Sequence, residues 1–259
     1  MKKNDIFIFN CWVVVSNKIP YLVYALSMGF ISSCHQLNTV EKSNSDMLYV
    51  GTTGDYPPFT LYDSITHQFS GKDIDLMRRF GKDTGQDIIF LKTSWKQLSE
   101  DMQNGRFRIA VGGISVNKER AKLFNFSIPL HVDRKVALFR KADYARFTDF
   151  RSIDKIGVRV VENIGGTNES FAKKNIKHAT LVWVANNSET FHLLLSDKAD
   201  IMFTDESEAQ YRKELEPAFS WMSLDKKISP SFVKAILFSK KDSLLRIQIN
   251  NWLKKQKQN

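Results

Sequence analysis

Short apolar runs alternate with amphipathic stretches along the chain from residue 47 onward. In the first half, the apolar runs with the length of buried strands are residues 47–51, 88–91 and 107–111. Residues 71–85 carry apolar side chains at helical spacing, and a second helix is predicted from residue 93 to about residue 104. This alternation of strands and helices predicts a parallel α/β unit.

The second half of the chain repeats this plan. Its predicted strands are residues 156–161, 180–184 and 198–204, and its predicted helices are residues 168–175, 188–196 and 206–214. Two similar units predict an α/β fold whose two lobes face each other across a cleft. The apolar runs 136–139 and 233–238 are predicted to be the two crossover strands. We expect a first lobe of residues 47–136 and 233–259, which includes a helix at 242–257, and a second lobe of residues 137–232.

Polar residues stand where a predicted strand of each half ends. In the second half, the strand runs into Thr204 and Asp205, and Glu208 follows one helical turn later. In the first half, the strand opens into the Gly-Gly-Ile-Ser stretch 112–115, and a helix start with Asn117, Glu119 and Arg120 follows. Open α/β folds bind ligands at the carboxyl ends of parallel strands. Residues 52–59, with a glycine and two prolines, are predicted to form a loop.

Composition narrows the classes of function. The chain has 259 residues and a formal net charge of +10, but its basic residues are spread along the sequence, so we do not expect it to bind nucleic acid. A solvated basic surface, or a general attraction for small anions or anionic membranes, explains the charge. Both cysteines, Cys11 and Cys34, lie in the first 34 residues, which excludes a thiolate metal site or a cysteine nucleophile from the rest of the chain.

The first 34 residues have the pattern of an export segment. Lys2 and Lys3 precede two apolar runs, and small residues lead to Cys34. The Ile-Ser-Ser-Cys sequence at 31–34 resembles a bacterial lipobox, in which the cysteine is lipidated. A signal peptide cut near the same place, or an uncleaved anchor, fits the same pattern. Residues 35–46 are polar and are predicted to be a linker.

Several motifs in residues 47–253 together resemble a known family. They are Gly-Thr-Thr-Gly-Asp-Tyr-Pro-Pro-Phe at 51–59, Thr-Ser-Trp at 93–95, Gly-Ile-Ser at 113–115 with Glu119 and Arg120, Phe-Ser-Ile-Pro at 126–129, Asn-Ile-Gly-Gly-Thr-Asn-Glu at 163–169, and Lys-Ala-Asp at 198–200 followed by Thr204, Asp205 and Glu208. The chain is similar to type 2 periplasmic solute-binding proteins, and within them to the cyclohexadienyl dehydratase branch. Departures from the family pattern include Arg134, where a glycine is usual, and Ile164, where a proline is usual.

The resemblance implies a role for individual residues. It implies that Arg120 binds a ligand carboxylate, that Asp205 is the ammonium partner found in amino-acid binders, and that Tyr56 and Phe59 form an aromatic wall beside Trp95. The other implied substrate-binding residues are Thr93, Ser94, Gly113, Ser115, Gly166 and Thr167.

The resemblance also implies catalytic residues. Glu208 matches a general acid that protonates the departing ring hydroxyl of prephenate, Asn163 a hydrogen-bond donor to the departing group, and Lys135 a cation that neutralises a second carboxylate. The implied activity is the exported dehydration and decarboxylation of prephenate or arogenate, without metal or cofactor. The alternative is a non-catalytic binding protein that delivers an amino acid or related carboxylate to an ABC permease. A membrane tether through Cys34 would fit that alternative slightly better.

Overall fold

The computed structural model describes residues 47–256. The predicted export segment 1–34, including Cys34, and the predicted linker 35–46 lie outside the described residues. Within the described part of the chain, no helix has both the length and the apolar character needed to cross a membrane.

The first lobe is built on a five-stranded sheet. Its strands in chain order are β1 (Met47–Thr52), β5 (Asp87–Lys92), β6 (Ile109–Ala110), β7 (Phe124–Phe126) and β15 (Leu237–Ser239). The spatial order is β5-β1-β6-β15-β7, with β1 parallel to both of its neighbours and β15 antiparallel to both of its own. The helices of this lobe are α1 (Lys72–Thr84), α2 (Leu98–Gln103), α3 (Lys118–Leu123) and α8 (Ser243–Gln256), and a small antiparallel sheet contains β2 (Asp55–Tyr56), β3 (Thr60–Asp63) and β4 (Gln68–Ser70).

The second lobe is built on another five-stranded sheet with the spatial order β11-β10-β12-β9-β13. These strands are β9 (Lys135–Arg140), β10 (Arg159–Asn163), β11 (Thr180–Val184), β12 (Ile201–Asp205) and β13 (Phe219–Ser223). Strands β10, β11 and β12 are parallel, and β9 runs antiparallel between β12 and β13. The helices are α4 (Phe150–Ile153), α5 (Thr167–Asn175), α6 (Asn187–Leu195) and α7 (Glu206–Leu215), with a 3-10 turn at Lys141–Asp143.

A two-stranded antiparallel ribbon carries the chain between the lobes. Its strands are β8 (His131–Asp133), which leads into β9, and β14 (Phe232–Lys234), which leads into β15. The apolar run 233–238, predicted as one crossover strand, is therefore two strands that belong to different sheets. The break falls at Ala235 and Ile236, which lie between β14 and β15 in the chain and are both buried. The hairpin strands β2 to β4 were not predicted, because they are short and lie next to the prolines that indicated a loop.

Each lobe has its own apolar core. In the second lobe, Phe139 and Phe203 pack on one face of the sheet while Leu138 and Met202 pack on the other, because successive side chains of a strand point to opposite faces. In the first lobe, the fourteen-residue helix α8 packs its buried side chains against the core of the first sheet, as predicted. Its Trp252 indole also donates to Asp83 of α1 at 2.9 Å.

Candidate functional site

A cavity lies where the carboxyl ends of the parallel strands of both lobes meet. The first lobe lines it with Tyr56, Trp95, Gly113, Ser115 and Arg120, and the second lobe with Asn163, Gly166, Thr167, Asn168, Asn187 and Asp205. Parallel strands direct the residues that follow them into such a crevice. A cavity enclosed between two lobes in this way suits a small molecule rather than a polymer.

Nine of the fourteen residues that the sequence predicted for substrate binding or catalysis line this cavity. They are Tyr56, Trp95, Gly113, Ser115, Arg120, Asn163, Gly166, Thr167 and Asp205. The other five, which lie outside this lining, are Phe59, Thr93, Ser94, Lys135 and Glu208.

Phe59, Thr93 and Ser94 contact other residues of the first lobe rather than the cavity itself. The Phe59 ring stacks on Tyr56 at a centroid distance of 6.1 Å. The Thr93 hydroxyl donates to Asp101 at 2.5 Å, and the Ser94 hydroxyl accepts from the backbone N–H of Gln97 at 3.2 Å. The hydroxyls of Thr93 and Ser94 therefore organise the turn that leads into helix α2.

Arg120 presents a cation to the cavity. Its backbone N–H is capped by the Asn117 side chain at 2.8 Å, which fixes the start of helix α3. Its guanidinium donates to the Ser115 carbonyl at 3.0 Å and lies 5.8 Å from the Trp95 ring. Burial lowers the pKa of Arg120 to about 10, so the group stays charged at neutral pH. No carboxylate of the described residues lies within 4.0 Å of it, and such a guanidinium is suited to a ligand carboxylate.

Asp205 is already compensated by two lysines. Lys135 Nζ lies 2.5 Å from Asp205 Oδ1, and Lys234 Nζ and the Tyr56 hydroxyl both donate to Oδ2. Burial alone would raise the pKa of Asp205, but the two ammonium groups outweigh it and hold the pKa well below its usual range. The carboxylate is ionised, and its charge is shared with cations of the protein rather than left for a ligand ammonium.

The two lysines reach Asp205 from different strands. Lys135, at the start of β9, also donates to Thr167 Oγ1 at 3.0 Å and to Asn168 Oδ1. Lys234, at the end of β14, donates to the Gly113 carbonyl at 3.2 Å and lies 4.9 Å from the centre of the Tyr56 ring. Sequence reasoning missed Lys234. The signal was available, because a lysine inside the apolar run 233–238 is buried only when it is paired.

Glu208 is fully buried on the first turn of helix α7. Thr204 Oγ1 donates to its Oε2 at 2.6 Å, and Asn187 Nδ2 donates to its Oε1 at 2.8 Å. Burial raises its pKa to about 7, and the nearby Arg212, 3.5 Å away, opposes that rise. The carboxyl therefore titrates near neutral pH, one hydrogen bond behind the cavity surface.

Three asparagines of the second lobe line the cavity. Asn163 Oδ1 and Asn187 Oδ1 are both buried, and neither has a hydrogen-bond partner among the described residues. A buried amide oxygen left without a partner is costly, so both are suited to accept a hydrogen bond from a ligand. Asn168 and Asn187 were not predicted. Asn187 follows strand β11, and the strand-end argument applied to Asp205 would have found it.

The two lobes touch beside the cavity. A methyl group on Gly165 of the second lobe would lie 2.4 Å from the backbone N and Cα of Lys96 in the first lobe. Asp55 Oδ2 accepts from the backbone N–H of Asn187 at 3.2 Å, and the Asp55 carbonyl accepts from Asn187 Nδ2 at 3.1 Å. The structure is therefore that of a closed cleft.

Two α/β lobes joined by two crossovers, with a charged cavity at their facing strand ends, define a two-lobed periplasmic-type binding fold. Residues 48–259 match the bacterial extracellular solute-binding proteins, family 3, and the chain belongs to this family.

Both an enzyme and binding proteins are similar to this chain. Cyclohexadienyl dehydratase of Pseudomonas aeruginosa is 39% identical over 173 residues, which cover 67% of this chain and 64% of that protein. The crystal structure of an ancestral amino-acid-binding protein, a precursor of cyclohexadienyl dehydratase, superposes with a TM-score of 0.76 and 31% identity over 83% of this chain and 91% of that one. An ancestral arginine-binding protein bound to arginine has the same fold, with a TM-score of 0.74 and 24% identity over 83% and 93% of the two chains.

Proposed function

We propose that the protein is an exported cyclohexadienyl dehydratase that converts prephenate to phenylpyruvate; arogenate is the second substrate that the family resemblance implies. Similarity to the enzyme from Pseudomonas aeruginosa supports this assignment, although the aligned segment spans 64% of that enzyme. The proposal rests chiefly on one observation in the cavity, which is the compensation of Asp205 by Lys135 and Lys234.

That observation bears on the charge of the ligand. The charged residues of the cavity lining are Arg120 and Asp205, and Asp205 is already paired with Lys135 and Lys234. An amino acid with a neutral side chain needs a free carboxylate for its ammonium group, and Asp205 does not supply one. Prephenate has no ammonium group and carries two carboxylates, so a cavity whose described lining has an unpaired guanidinium at Arg120 and no free carboxylate favours it.

The reaction needs a proton where the hydroxyl departs. In prephenate the bond between the ring and its carboxylate breaks, and the released electron pair completes the aromatic ring. The carbon–oxygen bond to the ring hydroxyl breaks at the same time. One proton joins that hydroxyl, so prephenate dianion and a proton give phenylpyruvate anion, carbon dioxide and water. A positioned acid is required because hydroxide is a poor leaving group.

Glu208 is the residue we assign to that proton transfer. With a pKa of about 7, a large fraction of it is protonated at neutral pH. Its carboxyl lies next to Asn187, which lines the cavity. Delivery of the proton requires the carboxyl to reach the cavity surface at that point.

Asn163 and Lys135 would assist the same step. The Asn163 amide lines the cavity and can hydrogen-bond the departing group. Lys135 is held by Asp205, Thr167 and Asn168, so it would act on the second carboxylate through its charge. This chemistry uses only side chains of the chain itself.

A second candidate function is a binding protein that delivers an amino acid or a related carboxylate to an ABC permease. One observation favours it: the Glu208 carboxyl is not part of the cavity lining, and the lining residues alone suffice to hold a carboxylate ligand. In either function we place the protein on the outer side of the cytoplasmic membrane or in the periplasm. The export segment and lipidation at Cys34 remain predictions.

Ultraviolet absorbance of the purified protein mixed with prephenate separates the two functions. We expect phenylpyruvate to accumulate at a rate proportional to protein concentration. That rate should exceed the rate of the uncatalysed reaction in the same buffer at the same pH. Tight binding of an amino acid by calorimetry, with no phenylpyruvate formed, would instead establish the binding protein.

A further inference from the structure

Asn187 connects the two lobes to Glu208 through a single amide group. Its Nδ2 donates to the Asp55 carbonyl of the first lobe at 3.1 Å and to Glu208 Oε1 of the second lobe at 2.8 Å. Its backbone N–H, in the first turn of helix α6, donates to Asp55 Oδ2 at 3.2 Å. We call Asp55, Asn187 and Glu208 the interlobe bridge.

The orientation of this amide is set by the first lobe. A backbone carbonyl only accepts hydrogen bonds, so the Asp55 carbonyl requires the nitrogen of the Asn187 amide on its side. The same nitrogen then supplies the bond to Glu208. The Asn187 oxygen is turned away, is buried and has no partner among the described residues. Trp95, which lines the cavity, donates to Asp55 Oδ1 at 3.1 Å and fixes that side chain in turn.

The orientation matters because the two ends of an amide favour opposite protonation states of a neighbouring acid. A donor stabilises the carboxylate and so favours release of the proton, whereas an acceptor stabilises the protonated acid. Separation of the lobes would remove the Asp55 carbonyl that restrains the amide. Asn187 could then turn its oxygen toward Glu208, which would favour uptake of a proton from solvent.

We propose that Asn187 is a positioning residue that makes proton release by Glu208 depend on closure of the lobes. It holds the carboxyl at the cavity edge and presents a donor to it only while Asp55 is in contact. This inference rests on the proposed dehydratase function, since it assigns a role in that reaction.

The charges around Glu208 determine how the proposal is tested. The charged or titratable groups that face it come from four elements: Asp55 and Tyr56 on β2, Glu162 on β10, Asp205 on β12 and Arg212 on α7. Asn187 on α6 is the neutral donor. Asp55 raises the pKa of Glu208 through its negative charge, whereas the Asn187 donor favours the carboxylate. Removing the Asp55 charge and removing the Asn187 donor should therefore move the pH dependence in opposite directions.

The experiment measures kcat and KM for prephenate from pH 5 to 9 in the full-length protein and three variants. Asn187→Ala should lower kcat by about ten- to a hundredfold with a smaller change in KM, because the acid is misplaced while Arg120 still holds the substrate. The pH at which kcat falls should move upward. Asp55→Asn, which keeps the backbone carbonyl and nearly the same shape, should move it downward.

Asn186→Ala is the matched control. Asn186 is the adjacent residue of the same type, but it is exposed and donates only to Glu189 at 2.9 Å. We expect it to keep the wild-type rate and pH profile. If Asn187→Ala does not fold, as judged by circular dichroism, Asn187→Ser replaces it in the same assay, because a hydroxyl has one hydrogen to donate and cannot bridge the Asp55 carbonyl and Glu208 at once.

Each outcome has one meaning. A wild-type profile in Asn187→Ala, a shift of both variants in the same direction, or an unmoved profile in Asp55→Asn overturns the role of the interlobe bridge while leaving the dehydratase assignment intact. A wild-type protein that does not turn over prephenate overturns the proposed function itself, and the role of Asn187 in it.

Discussion

Glu208→Gln is a direct probe of the raised pKa, independent of any activity. In the wild type, a protonated Glu208 can donate to Thr204 and accept from Asn187, since each is a hydrogen-bond partner of one of its oxygens. Glutamine offers one donor group and one acceptor in the same positions. The variant therefore mimics the protonated acid at every pH.

The expected change in the free energy of unfolding follows from the difference between the ordinary pKa of Glu208, 4.5, and its value of about 7 in the folded protein. Below pH 4.5 both folded and unfolded wild type are protonated, so burial of Glu208 adds no cost from ionisation. As the pH rises from 4.5 to 7, the unfolded chain ionises before the folded one, and the wild type loses stability. The loss reaches about 3 kcal/mol above pH 7. Glutamine does not titrate, so Glu208→Gln should gain about that amount relative to wild type between pH 4.5 and 8.

Urea unfolding of both proteins at several pH values measures this gain. All other titrating groups are shared, so the difference in free energy of unfolding isolates Glu208. Glu206→Gln is the matched control, because Glu206 lies on the same helical turn, is partly exposed and pairs with Arg134 at 2.7 Å. It should show no such gain at high pH. A difference between Glu208→Gln and wild type that stays constant from pH 4.5 to 8 would refute the raised pKa.

Two further predictions concern the ligand cavity. Arg120→Gln should weaken binding of carboxylate ligands by about 2–5 kcal/mol, measured by calorimetry. Glu119→Gln is the control and should bind like the wild type, because the Glu119 carboxylate contacts Lys122 at the surface. Equal affinities of the two variants would show that Arg120 is not part of the binding site. Gly165→Ala should weaken binding by about tenfold or more, because its new methyl group would meet the Lys96 backbone at 2.4 Å in the closed cleft. Gly157→Ala controls for backbone strain, since Gly157 has a similar φ of +87° but no atom of the described residues within 4 Å of an added methyl group. Equal ligand affinities of the two variants would contradict the prediction that a side chain at position 165 hinders closure of the lobes.

Most of the regular elements could be predicted because their patterns are local. The apolar spacing of residues 71–85 gave helix α1, and the alternating apolar runs gave both parallel units, whose two-lobed fold is confirmed. The break in the run 233–238 could not be predicted from periodicity. Both parts of that run are buried and apolar, and only the pairing of β14 with β8 and of β15 with β6 separates them.

The candidate site was predictable to the extent that it lies at strand ends. Asp205 and Asn163 end strands β12 and β10, and both line the cavity. The partners of those residues were not predictable in the same way. Lys234 is 29 residues from Asp205 and Asp55 is 132 residues from Asn187, so their contacts depend on how the two lobes close.

The Glu208 carboxyl lies behind Asn187 rather than in the cavity lining. Its participation in the reaction is therefore the central claim to test directly.

The rate of phenylpyruvate formation from prephenate by Glu208→Gln, compared with wild type and with Glu206→Gln, tests the central claim most directly. If Glu208 supplies the proton, its glutamine variant should lose about a hundred- to ten-thousand-fold in kcat while still binding prephenate, and Glu206→Gln should keep its rate. The wild-type rate should also fall as the pH rises through about 7, where Glu208 loses its proton. An undiminished rate in Glu208→Gln would contradict the account.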